Sequence, residues 1–106
     1  MFKIDNDTIY LTRGDTAEFR PIVEDYEAQE DDKVVFLLAR YPGARPVLKL
    51  ETKPGESITF STLDTATLEC GSYVYDLRLI TADTTSTFVN GARFNLMGDI
   101  YDGAND

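Results

Sequence analysis

Histidine and tryptophan are absent from this chain of 106 residues, and cysteine occurs once, as Cys70. Without histidine the chain lacks the commonest general base, the usual partner of a serine or cysteine nucleophile, and the usual zinc ligand. No Lys, Arg or His adjoins Cys70 in sequence to activate its thiol, and no glycine-rich phosphate loop is present. We therefore predict that the chain is not an enzyme and holds no cofactor or metal.

Positive charge is also scarce, because 10 Lys and Arg stand against 19 Asp and Glu, a net charge of −9. Nucleic-acid affinity depends on cations that displace counterions, and anionic membrane surfaces attract basic segments. No apolar run approaches the roughly 20 residues of a membrane span, and the N-terminal residues lack the apolar core of a signal peptide. A lone cysteine favours synthesis in a reducing compartment. The composition therefore predicts that the chain binds neither nucleic acid nor membranes.

Apolar residues that alternate with a period of two dominate what is present. The length suits one domain, which we place at residues 1–97, followed by a C-terminal tail at 98–106. The pattern predicts an all-β fold, an antiparallel immunoglobulin-like β-sandwich of about seven or eight short strands with a short helical turn at the crossover, residues 61–68. The predicted strands are 2–4, 8–12, 16–23, 33–40, 47–52, 57–60, 72–81 and 86–97.

Two of these strands carry residues that interrupt a ladder. Pro21 cannot donate a backbone hydrogen bond, so the second half of strand 16–23 is predicted at an edge or a bulge. Asn90 and Gly91 predict a break or a bulge in the last strand. The predicted core residues are Phe19, Phe36, Leu38, Leu50, Phe60, Leu68, Tyr75, Leu77 and Phe94.

Two short motifs have both a functional and a structural interpretation. Arg13-Gly14-Asp15 is the tripeptide that integrins recognise, but it also suits a turn in which glycine supplies a positive φ and Asp15 caps. The acidic cluster could offer oxygens to Ca²⁺, but its spacing does not match an EF-hand loop, so we predict a solvated loop. That cluster consists of Glu24, Asp25, Glu27, Glu30, Asp31 and Asp32.

Tyr73 and Tyr75 also allow two interpretations. They can be core residues whose hydroxyls bond to a loop carbonyl, as in a tyrosine corner, or aromatic anchors on a binding face. Their alternation with Leu77 and Leu79 along one strand favours the core.

The blocks IYLTRGDTAEF and TLDTATLECGSYVYDLRL resemble small immunoglobulin-like domains of phage and prophage structural proteins, such as the N-terminal domain of baseplate upper proteins. The matches are Arg13, Gly14, Asp15 and Thr16 in the first block, and Leu68, Gly71, Tyr73, Tyr75, Asp76 and Leu77 in the second. Asp64 and Thr65 are displaced slightly from the usual spacing. The resemblance implies a fold signature at Arg13-Gly14-Asp15 rather than an integrin ligand, and it transfers no catalytic residue.

The function that this resemblance implies is a non-enzymatic, phage-derived structural or assembly module of the virion, associated with a tail or baseplate. Such a module is synthesised in the bacterial host cytoplasm and acts through protein–protein contacts with other phage structural proteins or with itself. The alternative is a ligand- or carbohydrate-binding β-sandwich domain.

The strand at 33–40 is apolar on both faces, with Val34, Phe36 and Leu38 on one and Val35, Leu37 and Ala39 on the other. A two-layer sandwich buries only one face of each sheet, so the second face needs a cover. Two explanations for what covers this face remain open. One is intramolecular, from segment 61–68 or from Ile100 and Tyr101, and the other is a second protomer or another partner.

Overall fold

The structure, a computed structural model, describes residues 1–98. Eight strands and one short helix follow one another along these residues. They are β1 (Phe2–Asp5), β2 (Thr8–Thr12), β3 (Ala17–Phe19), β4 (Lys33–Ala39), β5 (Leu48–Thr52), β6 (Ile58–Phe60), α1 (Thr62–Ala66), β7 (Gly71–Ile80) and β8 (Thr85–Met97). The all-β prediction is confirmed, as is the helical turn at the crossover, and apart from Gly98 the predicted tail lies outside the described residues.

The larger sheet has six strands in the order β1-β2-β8-β7-β4-β5. Neighbouring strands in this sheet run antiparallel with one exception. β2 and β8 run parallel, with Ile9 opposite Phe94. The prediction of a wholly antiparallel fold is therefore wrong for this pair. A parallel pair needs a long connection, and here nearly the whole chain lies between its two strands.

A tight hairpin joins β1 to β2 through the two-residue loop Asn6-Asp7. Both residues have positive φ, 50° and 69°, as in the type I′ turn whose twist matches that of paired strands. The amide of Thr12 donates to the carbonyl of Met1 at 2.9 Å. Because hydrogen-bonded pairs alternate along an antiparallel ladder, Lys3 and Asp5 also bond to β2.

The smaller sheet contains only β3 and β6, paired antiparallel. The predicted strand 16–23 is wrong in length, because β3 ends at Phe19. Pro21 supplies no amide hydrogen for a ladder, and it lies buried just beyond the end of β3. The second layer of the sandwich is consequently small.

Aromatic rings fill the space between the two sheets. The ring of Phe36 lies 5.3 Å from the ring centres of both Phe60 and Tyr75, and Phe19 and Phe94 also contact it. All nine predicted core residues belong to this core. Six are buried, and the other three are partly buried against it, namely Phe19, Leu50 and Leu68.

The longest hairpin, β7–β8, contains the predicted irregularity. Its register shifts between Tyr75 and Arg78, and Gly91 on the facing strand has a φ of +66°. The amide of Gly91 donates to Asp76 Oδ1 at 2.7 Å. The bulge is therefore fixed by a side chain of the neighbouring strand.

Replacing Phe36 with alanine tests how far the core depends on the ring at its centre. The side chain is fully buried, so its loss leaves a cavity and costs about 3–5 kcal/mol of unfolding free energy, measured by urea denaturation. Leu63→Ala is the matched control, since Leu63 is 82% exposed on α1. A loss below about 1 kcal/mol for Phe36→Ala, on the scale of surface substitutions, contradicts the described core.

Candidate functional site

Arg13-Gly14-Asp15 forms a turn that is bonded into the fold. Gly14 has a φ of +84°, and its amide donates to Thr65 Oγ1 at 2.8 Å. The amide of Arg13 donates to the carbonyl of Met97 at 2.9 Å. The predicted turn with a positive glycine φ is confirmed, but the Asp15 carboxylate bonds to the N-terminal ammonium of Met1 instead of capping the turn.

Thr65 is the residue that receives this turn. It lies on α1 and is fully buried. The helix begins after Ser61, whose amide donates to Asp64 Oδ2 at 2.7 Å, a typical stabilisation of the first helical turn. The two sequence blocks of the resemblance are thus joined by a hydrogen bond between Gly14 and Thr65, 51 residues apart.

Thr65→Val keeps the shape of the side chain and removes its oxygen. The partly buried Gly14 amide then lacks its acceptor on Thr65, which costs about 1 kcal/mol or more in the free energy of unfolding, measured with urea. The control is Thr59→Val, on the exposed side of β6. Equal stability of the two variants excludes a stabilising role for the Gly14–Thr65 bond.

Tyr73 and Tyr75 are core residues, as their alternation predicts. They are 2% and 3% exposed, and their hydroxyls donate to the backbone carbonyls of Glu69 and Asp7 respectively. The Arg40 guanidinium lies 4.8 Å from the centre of the Tyr73 ring, a cation–π contact at the end of the core. Neither tyrosine is presented to a ligand.

Burial raises the pKa of Tyr75 to about 12, with a further contribution from the Asp7 carboxylate. A free phenol has a pKa near 10, so the folded state holds this proton more tightly than the unfolded state. The resulting stabilisation is complete below about pH 10 and is lost as the pH rises towards 12.

We therefore expect the free energy of unfolding to fall between about pH 10 and pH 12, measured by urea denaturation at fixed pH. Tyr75→Phe should remove part of this decline while lowering stability at neutral pH. Tyr41→Phe, at a residue 64% exposed, should leave the decline in place. An unchanged pH profile in Tyr75→Phe contradicts the assignment.

The acidic cluster is mostly exposed, but Asp32 departs from the predicted solvated loop because it is only 3% exposed. Its Oδ2 accepts hydrogen bonds from the Tyr26 hydroxyl and from the Gln29 amide, the latter at 2.8 Å. The bond to Asp32 raises the pKa of Tyr26. The Asp32 carboxylate therefore stabilises the loop to which it belongs. Among residues 1–98 no group of three or more carboxylate or thiol side chains is placed to hold a metal.

The outer face of the six-stranded sheet differs from expectation at Val35. This residue is 2% exposed in the single chain, so its burial needs no second protomer. Its in-register neighbours are Glu51 on β5 and Arg78 on β7, and long charged side chains cover apolar surface with their aliphatic stems. The expectation that the outer face of this strand is uncovered is therefore wrong for Val35, whereas Leu37 is partly exposed.

Leu37 lies in a depression on this face, which we name the outer-face depression. It has a volume of about 350 Å³ and lies between the loop of residues 41–46 and the β7–β8 bulge. Residues 61–68 do not line it, and Ile100 and Tyr101 lie outside the described residues. Its side-chain lining includes Leu37, Ala39, Tyr41, Val74, Asp76, Arg78 and Asn90.

The polar groups of the outer-face depression are largely engaged with one another. Asp76 Oδ2 lies 3.2 Å from an Arg78 guanidinium nitrogen, while Oδ1 accepts from Gly91. Arg78 Nε is buried and has no hydrogen-bond partner within residues 1–98. The sequence pattern does not predict this depression, although the Tyr41-Pro42-Gly43 turn directly after an apolar strand indicates a loop able to fold beside it.

No family model matches the chain, and the search of curated proteins likewise gives no match. In the described part of the chain no helix is long and apolar enough to cross a membrane.

Proposed function

We propose that this chain is a non-enzymatic structural or assembly module of phage origin, associated with the virion and in particular with its tail or baseplate. The contact between Gly14 and Thr65 carries this proposal, because each residue belongs to a different block of the resemblance. The resemblance to phage domains depends on two short sequence blocks, and it is better supported when residues of the two blocks are in contact and stabilise one turn.

We also propose that the fold is of the immunoglobulin-like type. Two sheets enclose one aromatic core, and a helical turn precedes the strand that carries the tyrosines. The hydroxyl of Tyr73 bonds to the backbone four residues upstream, at Glu69, which parallels the tyrosine corner of such sandwiches.

The partners we propose are other phage structural proteins, and the outer-face depression is the surface we assign to them. Tyr41 is 64% exposed at its rim, and Leu37 is partly exposed within it. Exposed aromatic side chains beside partly buried aliphatic ones are typical anchors of protein interfaces. In this proposal the protein is made in the host cytoplasm and incorporated into the virion.

The alternative, a ligand- or carbohydrate-binding domain, receives less support. It rests on aromatic side chains and acidic loops presented to a glycan, but both Tyr73 and Tyr75 are buried with bonded hydroxyls. Among residues 1–98 Tyr41 is the exposed tyrosine, and one ring offers a glycan little stacking surface.

Virion composition tests the proposal directly. We expect mass spectrometry of purified particles to detect the chain, and deletion of its gene to give particles with incomplete tails by electron microscopy. Tyr41→Ala in the intact gene should reduce incorporation, whereas Leu63→Ala on exposed α1 serves as the control. Particles that lack the protein in the parent phage, with normal tails after deletion, contradict the assembly function.

A further inference from the structure

The free edge of β1 is a second surface with unused bonding capacity. β1 is an edge strand of the six-stranded sheet. Since Met1, Lys3 and Asp5 form the hydrogen-bonded pairs with β2, alternation directs the backbone groups of Phe2 and Ile4 away from β2. No hydrogen bond among residues 1–98 engages those groups on that side.

Apolar side chains accompany this edge on the inner side of the sheet. Ile4 is 41% exposed and Ile22 is 77% exposed. Both line one depression of about 310 Å³, together with Phe19 and Phe88. Phe19 of β3 stacks on Phe2 of β1 but leaves Ile4 exposed, so an apolar patch borders an unpaired strand.

The charges of β1 are complementary to those of the same strand running in the opposite direction. With a two-fold axis through Ile4, Lys3 of one copy faces Asp5 of the other, and the reverse pair forms as well. Opposite charges in directly facing positions stabilise an antiparallel pair. A register shifted so that Lys3 faces its own copy places like charges opposite each other, which is unfavourable.

From this geometry we propose that two copies of the chain associate through antiparallel pairing of their β1 strands about an axis at Ile4. The Ile4 amide of each copy donates to the Ile4 carbonyl of the other, which extends the six-stranded sheet across the dimer. The Ile4 and Ile22 side chains of both copies meet below it. Such an interface is isologous, as two-fold symmetry requires.

β1 has only four residues, so the paired segment is small and we expect a weak dimer. Interfaces below about 1,200 Å² belong to transient complexes, and we expect a dissociation constant of about 10–100 µM. The net charge of −9 on each copy opposes association, and at about 0.15 M salt the screening length of roughly 8 Å limits that repulsion.

Charge reversal with a mixing step tests the register. Lys3→Glu places a glutamate opposite Asp5, and Asp5→Lys places a lysine opposite Lys3, so each variant alone should associate at least about 10-fold more weakly. Mixed in equal amounts, the two variants restore opposite charges at both facing positions. Sedimentation equilibrium and native mass spectrometry at about 0.15 M salt should then detect a heterodimer.

Lys49→Glu is the matched control, because it makes the same charge change on β5 at the opposite edge of the sheet and should leave dimerisation unchanged. Thermal melts check that all variants remain folded. A wild-type chain that stays monomeric at about 1 mM overturns the proposal, since a dissociation constant in the expected range predicts mostly dimer there. Failure of the mixture to pair, or an equal loss in Lys49→Glu, also overturns it. None of these three results bears on virion incorporation, because the β1 edge inference does not depend on the proposed function.

Discussion

A two-stranded sheet cannot cover the inner face of a six-stranded one, and this mismatch shapes the molecule. β3 and β6 lie over the centre of the larger sheet, where Phe19 and Phe60 meet Phe36. Phe19 also stacks on Phe2 of β1. Elsewhere other groups close the core. The Arg40 guanidinium lies over the Tyr73 ring at one place, and where no such cover exists, Ile4 remains exposed on the inner face.

The same mismatch gives the two core tyrosines their role. A phenol buried between layers needs an acceptor for its hydroxyl, and both rings reach backbone carbonyls at the borders of the core, at Glu69 and Asp7. The rings supply apolar surface and their hydroxyls tie loops to β7. The alternation along β7 predicts core tyrosines rather than a binding face, and the structure uses them for internal stability.

Local pattern predicted most of the fold. Alternation located strands such as 8–12, a short apolar run located the strand at 33–40, and the Asn90-Gly91 pair located the bulge. What it could not supply were relations between distant segments. These relations include the parallel pairing of β2 with β8, the bond from Tyr26 to the buried Asp32 and the burial of Val35. Each depends on which segments meet after folding. Local sequence pattern did not predict the outer-face depression for the same reason, because separate segments of the chain line it.

The outer-face depression and the free edge of β1 differ in what they require of a partner. A side-chain surface on a sheet face is specified by shape and charge, so its partner need only be complementary. An edge strand offers backbone groups that any extended segment can use, and its specificity must come from the side chains beside it. In β1, Lys3 and Asp5 provide that specificity in a self-complementary order. If both proposals hold, a single sheet separates contact with other proteins, on its face, from contact with its own copy, at its edge.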